Sequence, residues 1–271
     1  PFDLEHGPIY RLQLIKLDEK EYFFIIVIHH IAIDLESKLI IGKELSAAYN
    51  QQHLNENIFQ YDTYVSWFNA FAETDEYKKK VLFWKKQFVD KDHELDFSLE
   101  KNNIEKPSAF GDEVPVQITE ELYASLKQFC KQNNIIPFVM LLACYYLTLF
   151  YFTNQNDIIV GVPLSNRKQE DHKSIVGCFV NTIPLGVTVL ISDTIEIFIK
   201  KVRKAMVVAH RYHDVPLIDI ILHVNPERSE NRNPLYQAGF TFEPPMEIEL
   251  HEIESVPVVI HNGGSQLELF M

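Results

Sequence analysis

Two adjacent histidines and an aspartate form the sharpest chemical feature of this sequence, His29-His30-Ile31-Ala32-Ile33-Asp34. An imidazole titrates near neutrality, which suits it to take a proton from a hydroxyl, thiol or amine during acyl transfer. The pair follows Tyr22–Ile28, a continuous apolar, β-rich run that reads as a strand buried on both faces. A strand of that kind holds the histidines at its carboxyl end. Successive strand side chains face opposite ways, so one histidine faces a given cleft and the other is satisfied inside, by a backbone group. Asp34 is placed to turn back toward the strand end, where it holds the loop or fixes the imidazole tautomer. The same histidine pair also arises from packing alone, so the pattern does not by itself establish catalysis. A metal site is not expected, because adjacent strand histidines diverge and no His-Glu-x-x-His or third ligand at zinc spacing is present.

The elements that must position this group can be read from period and punctuation. Arg11–Lys16 alternates as a strand does, and Ser37 is placed to cap a helix carrying Ile40, Ile41, Leu45, Ala48 and Tyr49 at helical spacing. Tyr61–Phe71 and Tyr77–Phe88 read as helices, and Asp90–Asp112, with Pro107 and Gly111, as a linker. A strand is expected at Glu113–Ile118, a helix from the cap Thr119 to Asn133, and a long apolar helix opened by Pro137. Asp157–Leu164 reads as a buried strand, Val176–Val189 as strand-rich, Thr194–Tyr212 and Pro216–Val224 as helices, and Tyr236–Phe242 as a strand. The mixed order predicts an α/β or α+β protein in two lobes, residues 1–112 and 113–271.

Composition removes several function classes. The 271 residues carry 25 Lys and Arg against 38 Asp and Glu, a net charge of −13 with a pI near 5.3. Nucleic acid requires clustered cations, and Lys78–Lys80 with Lys85–Lys86 reads as the wet face of a helix. No Gly-x-Gly-x-x-Gly or Walker loop is present to cradle a phosphate. The three cysteines form no C-x-x-C pair, and two lie in apolar runs, as buried free thiols of a reducing cytoplasm would. Pro1–Gly7 has no basic n-region, so no signal peptide is read there. Ile135–Phe152 lacks formal charge over 18 residues, but its mid-run Tyr145, Tyr146 and Thr148 fit a core helix better than a membrane span.

The motif His-His-x-x-x-Asp, between a strand and a helix, resembles that of the condensation domains of nonribosomal peptide synthetases, within the chloramphenicol-acetyltransferase-like superfamily. Other segments are similar to the same family in the same order. Pro1-Phe2-Asp3-Leu4-Glu5-His6-Gly7-Pro8 is one; Tyr61–Trp67 with Phe83-Trp84 is another. Asn166-Arg167 followed by Gly177-Cys178-Phe179-Val180-Asn181-Thr182-Ile183-Pro184-Leu185 resembles an Arg…Gly-x-Phe-Val-Asn-Thr-x-Pro-Leu motif. His213-Asp214-Val215-Pro216 and Arg228…Asn233-Pro234-Leu235-Tyr236-Gln237…Phe240 complete the series. Departures occur where the family has Gly after the aspartate, here Leu35, and where Leu217 and Gly186 replace a usual Phe and Arg.

The resemblance implies two acetyltransferase-like lobes in a V, with an active-site tunnel between them. It implies amide formation between a donor acyl or peptidyl thioester and an acceptor aminoacyl thioester. Both substrates ride on the phosphopantetheine of partner carrier proteins, beside adjacent synthetase domains in the cytoplasm, with no intrinsic cofactor and no nucleic-acid or membrane partner. His30 would be the working imidazole, as general base or as the group that positions the amine; His29 and Asp34 would support it. Leu35, Ser37, Gly177 and Asn181 would frame the tunnel, although Asn181 can also be read as tying a strand crossover. Tyr64, Trp67 and Trp84 read as packing aromatics, and Arg167 as a carrier-protein or loop contact or a surface ion pair. The aspartate's arginine partner is looked for in an Arg-His-x-x-x-Arg element ahead of Pro1 rather than at Arg11, and against the family the chain reads as shortened at both ends. Two alternatives stay open: another acyltransferase of the superfamily with a free alcohol or amine acceptor, or a non-catalytic condensation-like module that recruits a partner, for which Leu35 is the argument.

Overall fold

The computed structural model describes residues 2–54, 59–89, 94–97, 110–228, 232–261 and 263–271, so most of the expected linker 90–112 and the Pro1 of the first motif lie outside the described residues. The chain forms two compact units that alternate along the sequence. The first comprises Pro1–Phe71, Ser165–Val180 and Glu243–Val258; the second comprises Ala72–Leu164, Asn181–Phe242 and Val259–Met271. The chain first crosses between the units after Phe71, not at residue 112 where the linker composition put the border, and it re-enters the first unit at Ser165.

In the first unit, β1 (Tyr10–Asp18) and β2 (Glu21–Ile28) pair antiparallel, with Tyr10 opposite Ile28 and Lys16 opposite Tyr22. The expectation that β2 is buried on both faces fails: it belongs to a two-stranded hairpin, and Tyr22, Phe23, Phe24 and Val27 are exposed. An apolar β-rich run specifies a ladder whether or not a second layer covers it, so composition alone could not decide burial. His29 extends the ladder by one bond, its amide donating to the Ile9 carbonyl at 2.9 Å. A single 3-10 turn, His30–Ala32, then leads into α1 (Leu35–Tyr49). The cap of α1 is Asp34 and not Ser37: the Asp34 carboxylate accepts the Ser37 amide at 2.9 Å. Helix α2 spans Tyr61–Ala72. The segment 243–258 is fastened to the end of α1, where Asn50 Nδ2 donates to the Glu249 carbonyl and the His251 amide donates to Asn50 Oδ1, at 2.9 and 2.7 Å.

The second unit holds α3 (Asp75–Phe88), α4 (Glu120–Gln132), α5 (Pro137–Thr153), α6 (Ile195–Tyr212) and α7 (Leu217–Val224). Its sheet has the order β4-β3-β5-β6, with β3 at Asp157–Ser165, β4 at Val180–Thr188, β5 at Ala238–Gly239 and β6 at Leu269–Phe270. Strand β5 runs parallel to β3, Val160 facing Ala238, and covers only part of the strand expected at Tyr236–Phe242. The cap Thr119 lies where its sequence context put it, and Thr194, read as the first residue of its helix, is the cap of α6; each accepts an amide of the first helical turn. Glu113–Ile118 forms no ladder, and Val114 and Val116 are exposed. Alternation gives a strand only when a neighbouring edge is within reach.

The apolar run read as core is core. Leu142, Tyr146 and Leu149 of α5 are buried, and the Tyr146 hydroxyl donates to the Leu185 carbonyl at 2.5 Å. Among the described residues no single helix is long and apolar enough to cross a membrane, and α4 and α5 meet at a 110° bend. Of the cysteines, Cys130 is buried, Cys178 half-buried and Cys144 exposed, so the two in apolar runs, Cys144 and Cys178, are not the buried thiols expected of them. The mixed α/β class expected from the sequence is the one the chain adopts.

Candidate active site

The site is organised around one buried carboxylate. Asp34 is 3% exposed, and its two oxygens accept five hydrogen bonds. Oδ1 takes the Ser37 amide at 2.9 Å, the Ser37 hydroxyl at 2.7 Å and Arg167 Nη2 at 3.0 Å; Oδ2 takes Arg167 Nη1 at 2.5 Å and the Phe179 amide at 3.0 Å. Burial works against its charge, but the hydrogen bonds from Arg167 and Ser37 and the guanidinium charge outweigh it and hold the carboxyl below the ordinary aspartate range. None of the five bonds goes to an imidazole. Asp34 therefore holds the loop and caps the helix, and of the two roles open to it in the sequence, tautomer control is excluded.

Arg167 is the partner of that carboxylate: of its readings as a carrier-protein contact, a loop contact or a surface ion pair, the buried loop contact is the one its geometry fits. Its side chain is 2% exposed. The guanidinium forks onto Asp34, stacks over the Phe179 ring at 4.1 Å, and donates through Nη2 to the Ile175 carbonyl at 3.1 Å and to Ser37 Oγ at 2.9 Å. Glu36 lies 3.5 Å from Nε. The arginine sought ahead of Pro1 is thus found 133 residues after the aspartate, a pairing no local spacing could reveal.

Ser37 and Gly177 complete the knot. Ser37 is fully buried; its hydroxyl faces both Asp34 Oδ1 and the Gly177 carbonyl, at 2.7 and 2.8 Å, while the Gly177 amide donates back to Ser37 Oγ at 3.0 Å. A Cβ on Gly177 would run into the Tyr61 ring, so only glycine lets Tyr61 close over this turn. The Tyr61 hydroxyl donates to the Cys178 carbonyl at 2.7 Å, and burial pushes its own pKa up to about 12. Leu35 is the first residue of α1 and half-buried. Asn181 lies in the second unit, where its amide donates to the His213 and Val215 carbonyls, both at 2.7 Å, and accepts the Leu217 amide at 3.0 Å. Those three bonds fit the strand-tying reading of Asn181.

The two histidines separate as a strand end requires. His29 Nδ1 accepts the Ile31 amide at 3.1 Å and its ring meets Phe2 edge-on at 5.9 Å, so it is satisfied by a backbone group. His30, first residue of the 3-10 turn, is exposed, with Nδ1 3.8 Å from Cys178 Sγ. Tyr64 and Trp67 pack, as expected, around a residue the sequence did not single out. His172 is fully buried, its ring 5.3 Å from Tyr64, 5.5 Å from Trp67 and 5.8 Å from Phe179, with neither nitrogen hydrogen-bonded. Burial lowers its pKa, which keeps the ring neutral. Trp84 also packs, its indole donating to the Tyr212 carbonyl at 2.9 Å. Among the described residues no cluster of three or more His, Cys, Asp or Glu could hold a metal ion.

One buried ion pair thus clamps three stretches of chain, 34–37, 167 and 177–179, and leaves a single imidazole presented at the end of β2. The sequence over residues 1–258 matches the condensation-domain family. The chain belongs to that family. Among its relatives, bacitracin synthase 1 of Bacillus licheniformis is 31% identical over 242 residues, 89% of this chain and 5% of that protein. Cyclosporin synthetase of Tolypocladium inflatum is 32% identical over 281 residues, all of this chain and 2% of that protein. The fold agrees. The X-domain from teicoplanin biosynthesis superposes with a TM-score of 0.85 at 21% identity, covering 99% of this chain and 63% of that one. The first condensation domain of the CDA synthetase gives 0.76 at 16% identity, covering 93% and 56%. The condensation domain described here therefore spans a small fraction of its synthetase relatives.

Proposed function

We propose that this condensation domain forms an amide between a donor acyl or peptidyl thioester and the amine of an acceptor aminoacyl thioester. Each would be tethered through phosphopantetheine to a carrier protein of a peptide synthetase. The observation that carries the reading is the retention of an exposed His30 on a loop fixed by the buried Asp34–Arg167 pair. That arrangement holds an imidazole rigidly while leaving its outer edge free to meet substrate. In the reaction the amine attacks the thioester carbonyl, the C–N bond forms, the C–S bond breaks, and the amine's proton ends on the departing pantetheine sulfur. His30 serves this step as a base or as a hydrogen-bonding partner of the reacting groups; His29, Asp34, Arg167, Ser37 and Gly177 hold it there. Tethering both substrates supplies effective concentration and orientation.

Leu35 sits at the amino end of α1, directly after the clamped aspartate, and its side chain separates this domain from the usual glycine. The test is an amide-forming assay with loaded donor and acceptor carriers, run on the intact protein and on Leu35→Gly, beside coenzyme A thioesters with free amines. Amide formed by the intact protein from loaded carriers is the expected result. Turnover with coenzyme A thioesters alone assigns the domain to a free-acceptor acyltransferase. Turnover that begins only in Leu35→Gly assigns the native sequence to a non-catalytic, partner-recruiting module.

A further inference from the structure

Cys178 stands beside His30 with no task in that chemistry. Its sulfur lies 3.8 Å from His30 Nδ1. The backbone around it is clamped on both sides: Gly177 N–H donates to Ser37 Oγ at 3.0 Å, Phe179 N–H to Asp34 Oδ2 at 3.0 Å, and the Cys178 carbonyl accepts the Tyr61 hydroxyl at 2.7 Å. The network that fixes the histidine loop therefore also fixes the thiol against it.

A neutral imidazole carries one proton, and the nitrogen that holds it decides what the other can do. A proton on Nδ1 leaves Nε2 a base; a proton on Nε2 makes that nitrogen a donor. A thiol has one proton to give and is a weak acceptor. Burial first, and then the Asp34 charge, raise the Cys178 pKa against the opposing Arg167 charge and the Val180 amide that bonds the sulfur. Cys178 thus keeps its proton at neutral pH, with its sulfur 3.8 Å from His30 Nδ1.

We infer that Cys178 is a positioning residue: its S–H donates to His30 Nδ1 and holds the imidazole as the Nε2–H tautomer. The inference rests on the proposed role of His30 and chooses between its two forms. An Nε2–H donor suits the thioester carbonyl oxygen, which gains negative charge as the C–N bond forms. The C–S bond then breaks and the amine's proton leaves with the pantetheine sulfur, so His30 undergoes no net proton change.

Nitrogen-15 histidine labelling followed by long-range proton–nitrogen correlation NMR reads the tautomer directly, the His30 ring being assigned as the one lost in His30→Gln. Native protein at neutral pH is expected to show His30 protonated at Nε2 alone. Cys178→Ala should admit a population protonated at Nδ1, and Cys178→Ser, whose hydroxyl also donates, should restore the native pattern. A native His30 protonated at Nδ1, or an identical His30 pattern in native protein and Cys178→Ala, overturns the inference; the first needs no variant to fold. Because the measurement needs no turnover, a domain that shows the expected tautomers yet condenses nothing would overturn the proposed function and not the Cys178–His30 contact.

Discussion

Asp34 spends every lone pair on the scaffold and none on an imidazole, so its effect on His30 is transmitted through the position of the loop. Removing its charge leaves the buried Arg167 with only the half-exposed Glu36 carboxylate 3.5 Å from Nε, and taking one partner from a buried pair typically costs about 3–5 kcal/mol. The pH dependence has a definite sign. The folded carboxyl titrates below its ordinary value of 3.8, so the unfolded chain binds more protons across the acid range. The stabilisation is fully present above the ordinary carboxylate range and is lost as pH falls through the folded value. Asp34→Asn should therefore be less stable at neutral pH by about 3 kcal/mol, and the gap to native protein should narrow on acidification. Denaturant unfolding across a pH series checks both; a constant gap would show that the charge is not what the network stabilises. The residue types of this site were legible in the sequence, because histidine at the end of a strand and aspartate before a helix each have a chemical reason. The partner of Asp34 was not. Burial turned Arg167 from an expected surface cation into the centre of the clamp, and contact across 133 residues leaves no local trace.

At the scale of elements, the turn Gly177–Phe179 matters as much as the histidine loop, since Ser37, Tyr61, Asp34 and Arg167 all meet it. Gly177→Ala should cost about 2 kcal/mol, because the added methyl meets the Tyr61 ring while that ring is held by its bond to Cys178 and by edge-on packing at 5.1 Å against Phe179. Turnover should fall with stability, since relief of the clash must move Cys178 away from His30. Unfolding and steady-state assays on the same sample test this; full stability with full activity would contradict the account. The start of α4 was legible because the cap Thr119 is local chemistry, whereas at α1 Asp34 took the cap that Ser37 was expected to supply. The burial of β2 and the pairing of Glu113–Ile118 were not, because both depend on what lies alongside rather than on the strand's own residues.

For the whole molecule, the net charge of −13 argued against a nucleic-acid partner but carried little about the proposed carrier-protein partners. Ordered motifs spread over the chain gave the resemblance that the match over residues 1–258 bears out, and the structure brings several of them into contact. The His-His-x-x-x-Asp loop, the arginine after Asn166 and the Gly-x-Phe turn are three strands of one buried knot in the first unit. The lobe border at residue 112 was not legible, because linker composition marks a break in periodicity and not the place where a chain crosses between compact units. In the proposed function the knot holds His30 where tethered substrates would react. The most direct measurement of that claim is amide formation from loaded donor and acceptor carriers by native protein and by His30→Gln, with unfolding midpoints measured on both. An unchanged midpoint with turnover lowered roughly 10²-fold or more is the predicted result. Equal turnover in the two proteins would contradict it.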